Sequence, residues 1–93
     1  MIKSFADKQT EALFHGFLVA RFPNDILRAA QRKLKMIHYA FELQDLRVPP
    51  ANRLEALKGD RLGQYSIRVN RQWRICFIWR DGHAFDVELV DYH

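Results

Sequence analysis

The chain has 93 residues, of which 48% are hydrophobic, which is enough for one modest core and too little for a second domain. Its formal charge of +4, with arginine as the main cation, favours an anionic partner, since arginine binds phosphate in bidentate fashion. The one cysteine, Cys76, excludes an intramolecular disulfide, and the sequence has no recognisable zinc-binding pattern. Without a signal peptide or a membrane span, the sequence predicts one soluble cytoplasmic domain over residues 1–93.

Charge is unevenly distributed along the chain. Residues 1–46 have seven cations and five anions, residues 47–80 have eight cations and two anions, and residues 81–93 have four anions and no cation. A fold that packs the basic middle against the acidic end would set cations beside carboxylates, as a site that handles phosphate requires. An ordinary solvated surface with ion pairs is the alternative.

The first predicted element after the N-terminal residues is an amphipathic helix from Asp7 to about Arg21. Ser4 or Asp7 is placed to cap its start. The prediction depends on the spacing of the apolar residues, which places them on one face of a helix. These residues are Leu13, Phe14, Phe17 and Leu18.

A second helix is predicted after Phe22-Pro23, with Asn24 or Asp25 as its cap, and Pro49-Pro50 ends the helical half. Its apolar positions step by three and four residues, which is typical of a helix packed on a core. They are Leu27, Ala30, Leu34, Ile37 and Phe41. The outer face carries Arg28, Arg32 and Lys35, which indicate a solvated face or, as the alternative, a face that contacts RNA.

Beyond the two prolines the apolar period changes from 3.6 to 2, which is typical of strands. Three consecutive antiparallel strands are predicted over residues 64–69, 73–80 and 85–89, and weaker strands over 2–5 and 54–58. The fold class is therefore α+β in the order β-α-α-β-β-β-β. Two N-terminal helices pack on one face of a twisted, mainly antiparallel sheet of four to five strands.

The register of the sheet follows from setting apolar residues opposite each other on the face that the helices cover. A three-residue loop at 70–72 satisfies this rule, whereas a two-residue loop would bury Arg68. Its pairs are Val69 with Trp73, Ile67 with Ile75 and Tyr65 with Phe77. The same rule predicts a three-residue loop at 81–83, and its pairs are Trp79 with Phe85, Phe77 with Val87 and Ile75 with Leu89.

The opposite face of the predicted sheet receives mostly polar residues. Its pairs are Arg68 with Arg74, Cys76 with Glu88 and Arg74 with Val90, and Tyr92 is next on the same side. Two arginines that face each other repel, and an anion between them would turn this penalty into binding. The alternatives are guanidinium groups that splay into solvent, or a Glu88 that neutralises one of them.

This face could supply the groups that metal-free cleavage of an RNA phosphodiester needs. The reaction requires a base to activate the ribose 2′-OH, an acid to protonate the leaving 5′-oxygen, and cations to stabilise the phosphorane. The candidate cations are Lys58, Arg68 and Arg74, and the candidate titratable groups are Glu55, Asp91, Tyr92 and His93.

Four motifs in this order resemble the HigB toxins. They are RLEALKGDR at 53–61, GQYSIRV at 63–69, QWRICF at 72–77 and VDYH at 90–93, and the opening MIKSF fits as well. The resemblance extends along essentially the whole chain, and the GraT branch is the closest likeness.

The resemblance implies a RelE-like fold and the toxin of a type II toxin–antitoxin system. Such toxins are ribosome-dependent endoribonucleases that cleave mRNA in the ribosomal A site by 2′-OH attack, without a metal or an organic cofactor. The implied partner is a HigA-like helix-turn-helix antitoxin, with operator DNA contacted only through the antitoxin complex.

The resemblance also implies site residues. Lys58 and Arg74 are implied to stabilise the phosphate, with Asp91 and His93 as candidates for proton transfer beside Tyr92. Some HigB toxins have a histidine where this chain has Glu55, so the acid and base roles stay open among these titratable residues. Arg61, Arg68 and Arg71 are candidates for RNA binding.

Two other function classes fit parts of the sequence. A ParE-like inhibitor of DNA gyrase, which cleaves nothing, belongs to the same superfamily and generally lacks the terminal acid and imidazole. A plain nucleic-acid-binding module needs only the basic segment 47–80.

Overall fold

Two helices lie on one face of a four-stranded antiparallel sheet in the structure, a computed structural model that describes residues 1–92. The helices are α1 (Lys8–Phe14) and α2 (Asn24–Tyr39), and the strands are β1 (Glu55–Ala56), β2 (Tyr65–Arg68), β3 (Trp73–Arg80) and β4 (His83–Asp91). The strands lie in the order β1-β2-β3-β4. Short 3-10 helices at Leu43–Arg47, Pro50–Asn52 and Gly59–Arg61 connect α2, β1 and β2. The predicted α+β fold is confirmed.

Helix α1 is half as long as predicted. Asp7 caps it, as expected, by accepting a hydrogen bond from the Thr10 N–H at 2.6 Å. Gly16 ends it, because its φ of +93° lies in the left-handed region and turns the chain away from the helix axis. The prediction that Phe17 and Leu18 belong to the apolar face is wrong, since Phe17 is 65% exposed and Leu18 is 83% exposed.

Helix α2 has the predicted apolar face but different ends. Pro23 occupies the N-cap position, so neither Asn24 nor Asp25 caps the helix; both are already in its first turn. Phe41 lies beyond the end of the helix and is 87% exposed, contrary to the prediction. The buried positions of the face are Ile26, Leu27, Ala30, Leu34 and Ile37.

The β2–β3 hairpin has the predicted register. Ile67 pairs with Ile75, and Arg68 lies directly opposite Arg74. The loop at 70–72 is held by Asn70, whose side-chain oxygen accepts hydrogen bonds from the backbone N–H groups of Gln72 and Trp73, both at 2.8 Å. The hydrophobic pattern was therefore sufficient to define this hairpin.

The β3–β4 hairpin has a tighter turn than predicted. Arg80 pairs with His83, which leaves a two-residue turn made by Asp81 and Gly82, with φ angles of 53° and 79°. Two successive positive φ angles define the turn type that best matches the twist of a hairpin. As a result Trp79 pairs with Ala84, and the predicted pairing of Trp79 with Phe85 is wrong.

A β-bulge then restores the register toward the end of β4. Its irregularity falls between Cys76 and Ile78 on β3, opposite Asp86, whose φ is 52°. Beyond the bulge the predicted pairs Cys76 with Glu88, Ile75 with Leu89 and Arg74 with Val90 are all present. Phe85 pairs with Ile78 on the face away from the helices, where the Arg80 guanidinium lies 4.5 Å from its ring centre.

The two weaker predicted strands are shorter than expected. Ile2 and Phe5 form isolated parallel bridges to Ala84 and Val87 on β4, and the segment 54–58 contains only β1. Between the two bridges the Asp86 N–H donates to the Ser4 Oγ at 2.9 Å instead of to a backbone carbonyl of the N-terminal segment. In the part of the chain described, no helix is long and apolar enough to cross a membrane.

Candidate active site

A row of residues, one from each strand, crosses the face of the sheet opposite the helices, which we call the open face. Register places Glu55 beside Ser66, Ser66 beside Cys76, and Cys76 beside Glu88. Ser66 and Cys76 are nevertheless completely buried. The centre of the open face is therefore covered by the charged side chains around these two small residues.

Arg74 is the most firmly held of these charged residues. Its Nε donates to the Ser66 Oγ at 2.7 Å, and one Nη donates to the Arg53 carbonyl, also at 2.7 Å. The same Nη lies 3.7 Å from a Glu55 carboxylate oxygen, and the Arg74 side chain is only 11% exposed. A guanidinium with these partners has a defined orientation on the open face, as a group that must receive a phosphate requires.

The Arg53 carbonyl is itself held by the segment before β1. Arg53 has φ 46° and ψ 56°, a left-handed conformation that is uncommon for a residue other than glycine. The preceding residue, Asn52, is completely buried, donates to the Leu46 carbonyl at 3.2 Å and accepts from the Lys33 ammonium. The strained residue next to Arg74 is thus supported from α2, which is a pattern associated with functional sites.

Burial lowers the pKa of Lys33, and repulsion by Arg32 lowers it further. The direction follows from the position of the ammonium between α2 and the Asn52 side chain, where water solvates it less well. Lys33 thus belongs to the support of the site rather than to its surface.

Arg68 and Arg74 avoid mutual repulsion by pointing in opposite directions along β2. Arg74 reaches back to Ser66, whereas the Nε of Arg68 donates to the Asn70 carbonyl at 3.0 Å. The predicted pairing of the two arginines is confirmed in the backbone register. The alternative of guanidinium groups that splay into solvent is wrong for Arg74, whose side chain is only 11% exposed. Two oriented cations therefore lie on neighbouring strands.

Glu88 pairs with Arg61 rather than with Arg68 or Arg74. The Arg61 guanidinium lies 3.3 Å from the Glu88 carboxylate and donates to the Gln64 side-chain oxygen at 3.0 Å. Both charged side chains are about one third exposed. Arg61 is thus an ion-paired, partly exposed cation at the margin of the open face, and Glu88 does not neutralise the predicted arginine pair.

Cys76 is an unreactive thiol at the centre of the open face. Burial raises the pKa of its thiol, and this effect outweighs the nearby charge of Arg61, which acts in the opposite direction. A cysteine nucleophile requires a thiolate, and such residues are partly exposed with a lowered pKa. Cys76 therefore contributes packing to the site.

The end of β4 brings one of the predicted terminal residues to the open face. The Tyr92 N–H donates to the Gln72 carbonyl at 2.6 Å, and alternation along the strand places its side chain on the side of Arg74. Asp91 pairs with Trp73, on the alternate side, and accepts a hydrogen bond from the Gln72 side chain at 3.0 Å. His93 lies outside the described residues.

Lys58 and Arg71 are exposed cations on loops. Lys58 follows β1 and precedes the 3-10 turn Gly59–Arg61, and Arg71 lies in the β2–β3 loop. In residues 1–92, no side chain forms a hydrogen bond or an ion pair with the Lys58 ammonium. Lys58 is therefore free to bind an external anion.

Three contributors to the site were missed by the sequence reasoning. They are Ser66, the Arg53 carbonyl and Gln72, which contacts both Asp91 and Tyr92. Ser66 had a signal, because it shares its strand face with Arg68 in the predicted register. The Arg53 carbonyl had no signal in the sequence, because every residue has a carbonyl group. Only the three-dimensional path of the chain determines which carbonyl points toward Arg74.

The described residues contain no group of three or more His, Cys, Asp or Glu side chains arranged to hold a metal ion. The open face instead carries three guanidinium groups and two glutamates on the strands and loops around a buried hydroxyl, and strand alternation places the Tyr92 phenol on the same side. Such a surface can bind a phosphate and offers carboxylate and phenol groups for proton transfer.

The fold is that of a RelE-like toxin. The chain superposes on YoeB in the YoeB–YefM complex from Staphylococcus aureus with a TM-score of 0.61, covering 100% of this chain and 98% of that one at 19% identity. At this identity the similarity concerns the fold alone.

The family follows from sequence comparison. Residues 3–93 match the HigB-like toxin family, described as the RelE-like toxin of type II toxin–antitoxin system HigB, and the chain belongs to this family. It is 41% identical over 90 residues to Toxin HigB-1 of Vibrio cholerae serotype O1, covering 96% of this chain and 95% of the relative. It is 36% identical over 93 residues to Endoribonuclease HigB of Proteus vulgaris, covering both chains completely. Membership of the GraT branch stays a prediction.

Proposed function

We propose that the chain is an endoribonuclease that enters the A site of a translating ribosome, cleaves the mRNA there and so inhibits translation in the cytoplasm. The observation that carries the proposal is the fixed orientation of Arg74 by Ser66 and the Arg53 carbonyl, on the same face as Tyr92. The name of the Proteus vulgaris relative, Endoribonuclease HigB, supports the same activity.

The proposed reaction is an attack of the ribose 2′-OH on the adjacent phosphorus. The bond from the 2′-oxygen to phosphorus forms and the bond to the 5′-oxygen breaks, which leaves a 2′,3′-cyclic phosphate and a 5′-hydroxyl. A base removes the proton of the 2′-OH, and an acid gives a proton to the leaving 5′-oxygen. No metal takes part, because the substrate carries its own nucleophile and arginine and lysine supply the positive charge.

Arg74 and Lys58 are the proposed phosphate-stabilising residues. Arg74 has a fixed orientation, and Lys58 is exposed on the loop that follows β1. In the free protein Glu55 lies 3.7 Å from Arg74, so a phosphate that approaches Arg74 competes with this carboxylate. Charge neutralisation by both cations would lower the energy of the doubly charged phosphorane.

Proton transfer falls to two of the four titratable residues Glu55, Asp91, Tyr92 and His93. Asp91 and His93 are the first candidates by resemblance, and Tyr92 gains support from its place on the side of Arg74. Glu55 is 53% exposed, so its carboxylate can reach a bound ribose. Arg61, Arg68 and Arg71 are proposed to bind the RNA backbone on either side of the cleaved phosphate.

The proposed partner is a HigA-like helix-turn-helix antitoxin that neutralises the toxin and carries it to operator DNA. Membership of a type II toxin–antitoxin family supports an antitoxin partner. YoeB, which has a similar fold, is found in a complex with YefM, and this points the same way.

The proposal is tested with purified ribosomes that translate a defined mRNA. Primer extension should map a cut within the A-site codon, and the same mRNA without ribosomes should stay intact. An uncut transcript at confirmed A-site occupancy would contradict the proposal. A DNA supercoiling assay with gyrase is run in parallel, because inhibition there would identify the ParE-like alternative.

A matched pair of variants assigns the cleavage to the open face. Arg74→Lys should lose most of the activity, whereas Arg80→Lys, six residues along the same strand and about 20 Å away, should keep it. Both substitutions retain the charge, so a difference between them reports on the geometry at Arg74. Equal activity of the two variants would place the reaction elsewhere.

A further inference from the structure

A series of contacts leads from helix α2, which lies on one face of the sheet, to the guanidinium of Arg74 on the open face. It begins at Lys33, whose ammonium donates to the side-chain oxygen of Asn52. It ends at the Arg53 carbonyl, which accepts from one Nη of Arg74 at 2.7 Å. Asn52 and Arg53 are consecutive in the sequence, so the backbone of these two residues joins the helix to the guanidinium.

Asn52 anchors the segment before β1. It is completely buried, its Nδ2 donates to the Leu46 carbonyl at 3.2 Å, and its backbone N–H donates to the Pro49 carbonyl at 2.9 Å. Within residues 1–92, its Oδ1 accepts from the Lys33 ammonium alone. A buried amide oxygen left without a donor costs about 1–3 kcal/mol. Lys33 therefore stabilises this orientation of the Asn52 side chain.

Packing alone does not require a cation at Lys33. Partial burial disfavours the charged ammonium and lowers the pKa of Lys33. Among residues 1–92 it forms no ion pair that would offset this cost, and its partner is the neutral Asn52 amide. Methionine has about the same length and would fill the space without a charge. The hydrogen bond to Asn52 is therefore what distinguishes the lysine from an apolar residue here.

The direction of the Arg53 carbonyl depends on the conformation of Arg53 itself. Its ψ of 56° belongs to the left-handed region, whereas an extended residue has a ψ of about 140°. Rotation to the extended value would move the carbonyl oxygen by about 1.4 Å and break its bond to Arg74. The Arg53 N–H donates to the Pro50 carbonyl at 3.0 Å, and the anchored Asn52 holds the preceding peptide. The contacts of Asn52 thus also hold the Arg53 carbonyl.

The Arg53 carbonyl and Ser66 together leave one nitrogen of Arg74 for a substrate. The Nε donates to the Ser66 Oγ and the Nη2 to the Arg53 carbonyl, both at 2.7 Å. Nη1 has no hydrogen-bond partner within residues 1–92, so its two N–H groups are available to a phosphate oxygen. With the Ser66 bond alone the guanidinium could still tilt about that bond. The direction of Nη1 therefore depends on the Arg53 carbonyl as well.

We propose that Lys33 and Asn52 are positioning residues for Arg74. They hold the Arg53 carbonyl where it orients the guanidinium, and so they determine how Nη1 meets the scissile phosphate. The effect on cleavage rests on the proposed function, whereas the orientation of the guanidinium rests on the contacts alone. Because α2 packs on the face of the sheet opposite the site, an effect of Lys33 on the rate has to act through the residues between them.

The first test compares Lys33→Met with Lys8→Met, which removes the same charge from an exposed position of α1. Side-chain NMR follows the Nε–H signal of Arg74, which is assigned by its absence in Arg74→Lys. Cleavage on ribosomes gives kcat and KM for the same samples, and circular dichroism verifies the fold. We expect Lys33→Met to shift the signal toward those of exposed arginines and to lower kcat about tenfold, with KM within about twofold. Lys8→Met should change neither.

A double variant shows whether Lys33 acts through Arg74. Once Arg74→Lys has removed the guanidinium, the addition of Lys33→Met should lower kcat by less than about twofold, although stability still falls. A further tenfold loss of kcat would overturn the proposal, because a residue with a merely structural role would lower activity in both backgrounds. An unchanged Arg74 signal in Lys33→Met would overturn it as well.

A second pair of variants tests the carbonyl with Lys33 in place and serves if Lys33→Met does not fold. Arg53→Gly and Arg53→Val both remove the side chain, but only glycine adopts the left-handed conformation without strain. We expect Arg53→Val to shift the Arg74 signal and to cleave about tenfold more slowly than Arg53→Gly. Equal rates and equal signals would overturn the proposal. An Arg74 signal that responds as expected in a protein that cleaves nothing would refute only the proposed function.

Discussion

The Arg74 Nε donates a hydrogen bond to the Ser66 Oγ at 2.7 Å across the β2–β3 pair. Because Ser66 is completely buried and the Arg74 side chain is only 11% exposed, water does not compete with this bond, and it fixes the plane of the guanidinium. Ser66 is thus a positioning residue for Arg74.

Removal of this hydroxyl should slow cleavage. In Ser66→Ala the Arg74 Nε loses its partner, so we expect kcat to fall about tenfold with KM little changed, and the free energy of unfolding to fall by about 1–3 kcal/mol. Single-turnover cleavage on ribosomes and urea unfolding measure the two effects. Ser66→Thr keeps the hydroxyl and should recover kcat; a Thr variant as slow as the Ala variant would argue against positioning through this bond.

Lysine should not replace Arg74. Its ammonium keeps the charge but cannot hold the Ser66 hydroxyl and the Arg53 carbonyl in one plane while facing a phosphate. We expect Arg74→Lys to lose about 100-fold in kcat, the loss typical of one misplaced transition-state donor. Arg74→Ala should also lower stability, because the Arg53 carbonyl loses its donor. Wild-type kcat in Arg74→Lys would show that charge alone is sufficient.

Gly16→Ala should destabilise the protein. Space is not the reason, since a Cβ at this position meets nothing within 4 Å; the cost comes from the φ of +93°. We expect the free energy of unfolding to fall by about 1–2 kcal/mol in chemical denaturation. His15→Ala, one residue earlier at an ordinary φ of −82°, is the control and should change stability little. Equal effects of the two substitutions would mean that the helix end does not depend on glycine.

Stability should fall in mild acid through His38. Burial, and then the positive charge of the N-terminus, lower the pKa of His38 below 6.5, and its Nδ1 accepts the Ile2 N–H at 3.1 Å. The unfolded chain binds this proton more readily than the folded chain does, so stability declines as pH falls through 6.5 toward the folded pKa and is fully present above 6.5. Urea unfolding at about pH 7.5 and at about pH 5 should show that the free energy of unfolding falls less in His38→Asn than in the unchanged protein. An identical decline in both proteins would assign it to other groups.

Hydrophobic patterning was sufficient for the layers and for most pairings. Alternation placed Ile67 opposite Ile75 and thereby Arg68 opposite Arg74, because a shift by one residue would have buried charge. It failed at the β3–β4 turn, where the left-handed propensity of Asp81-Gly82 prevailed over the pairing of Trp79 with Phe85. The positive φ angles of Asp81 and Gly82 thus determined the pairing at this turn, which the hydrophobic pattern alone did not predict.

The candidate site was predictable at the level of residues and not of contacts. The cations and carboxylates were identified because their side chains alternate onto one face. Glu55 rather than Glu88 pairs with Arg74, however, because the chain before β1 brings Glu55 beside the guanidinium while Arg61 reaches Glu88 from its loop. Such long-range partners depend on loop paths, which carry little periodic signal.

The most direct test of the central claim uses an mRNA with one altered sugar. Ribosomes are programmed with an mRNA whose A-site codon is all ribose or contains 2′-deoxyribose on the 5′ side of the mapped cut, and the protein is added without divalent metal beyond what the ribosome requires. We expect cleavage of the ribose mRNA to a 2′,3′-cyclic phosphate end and no cleavage of the deoxy mRNA at equal occupancy. Equal cleavage of both, or no cleavage of either, would contradict the account.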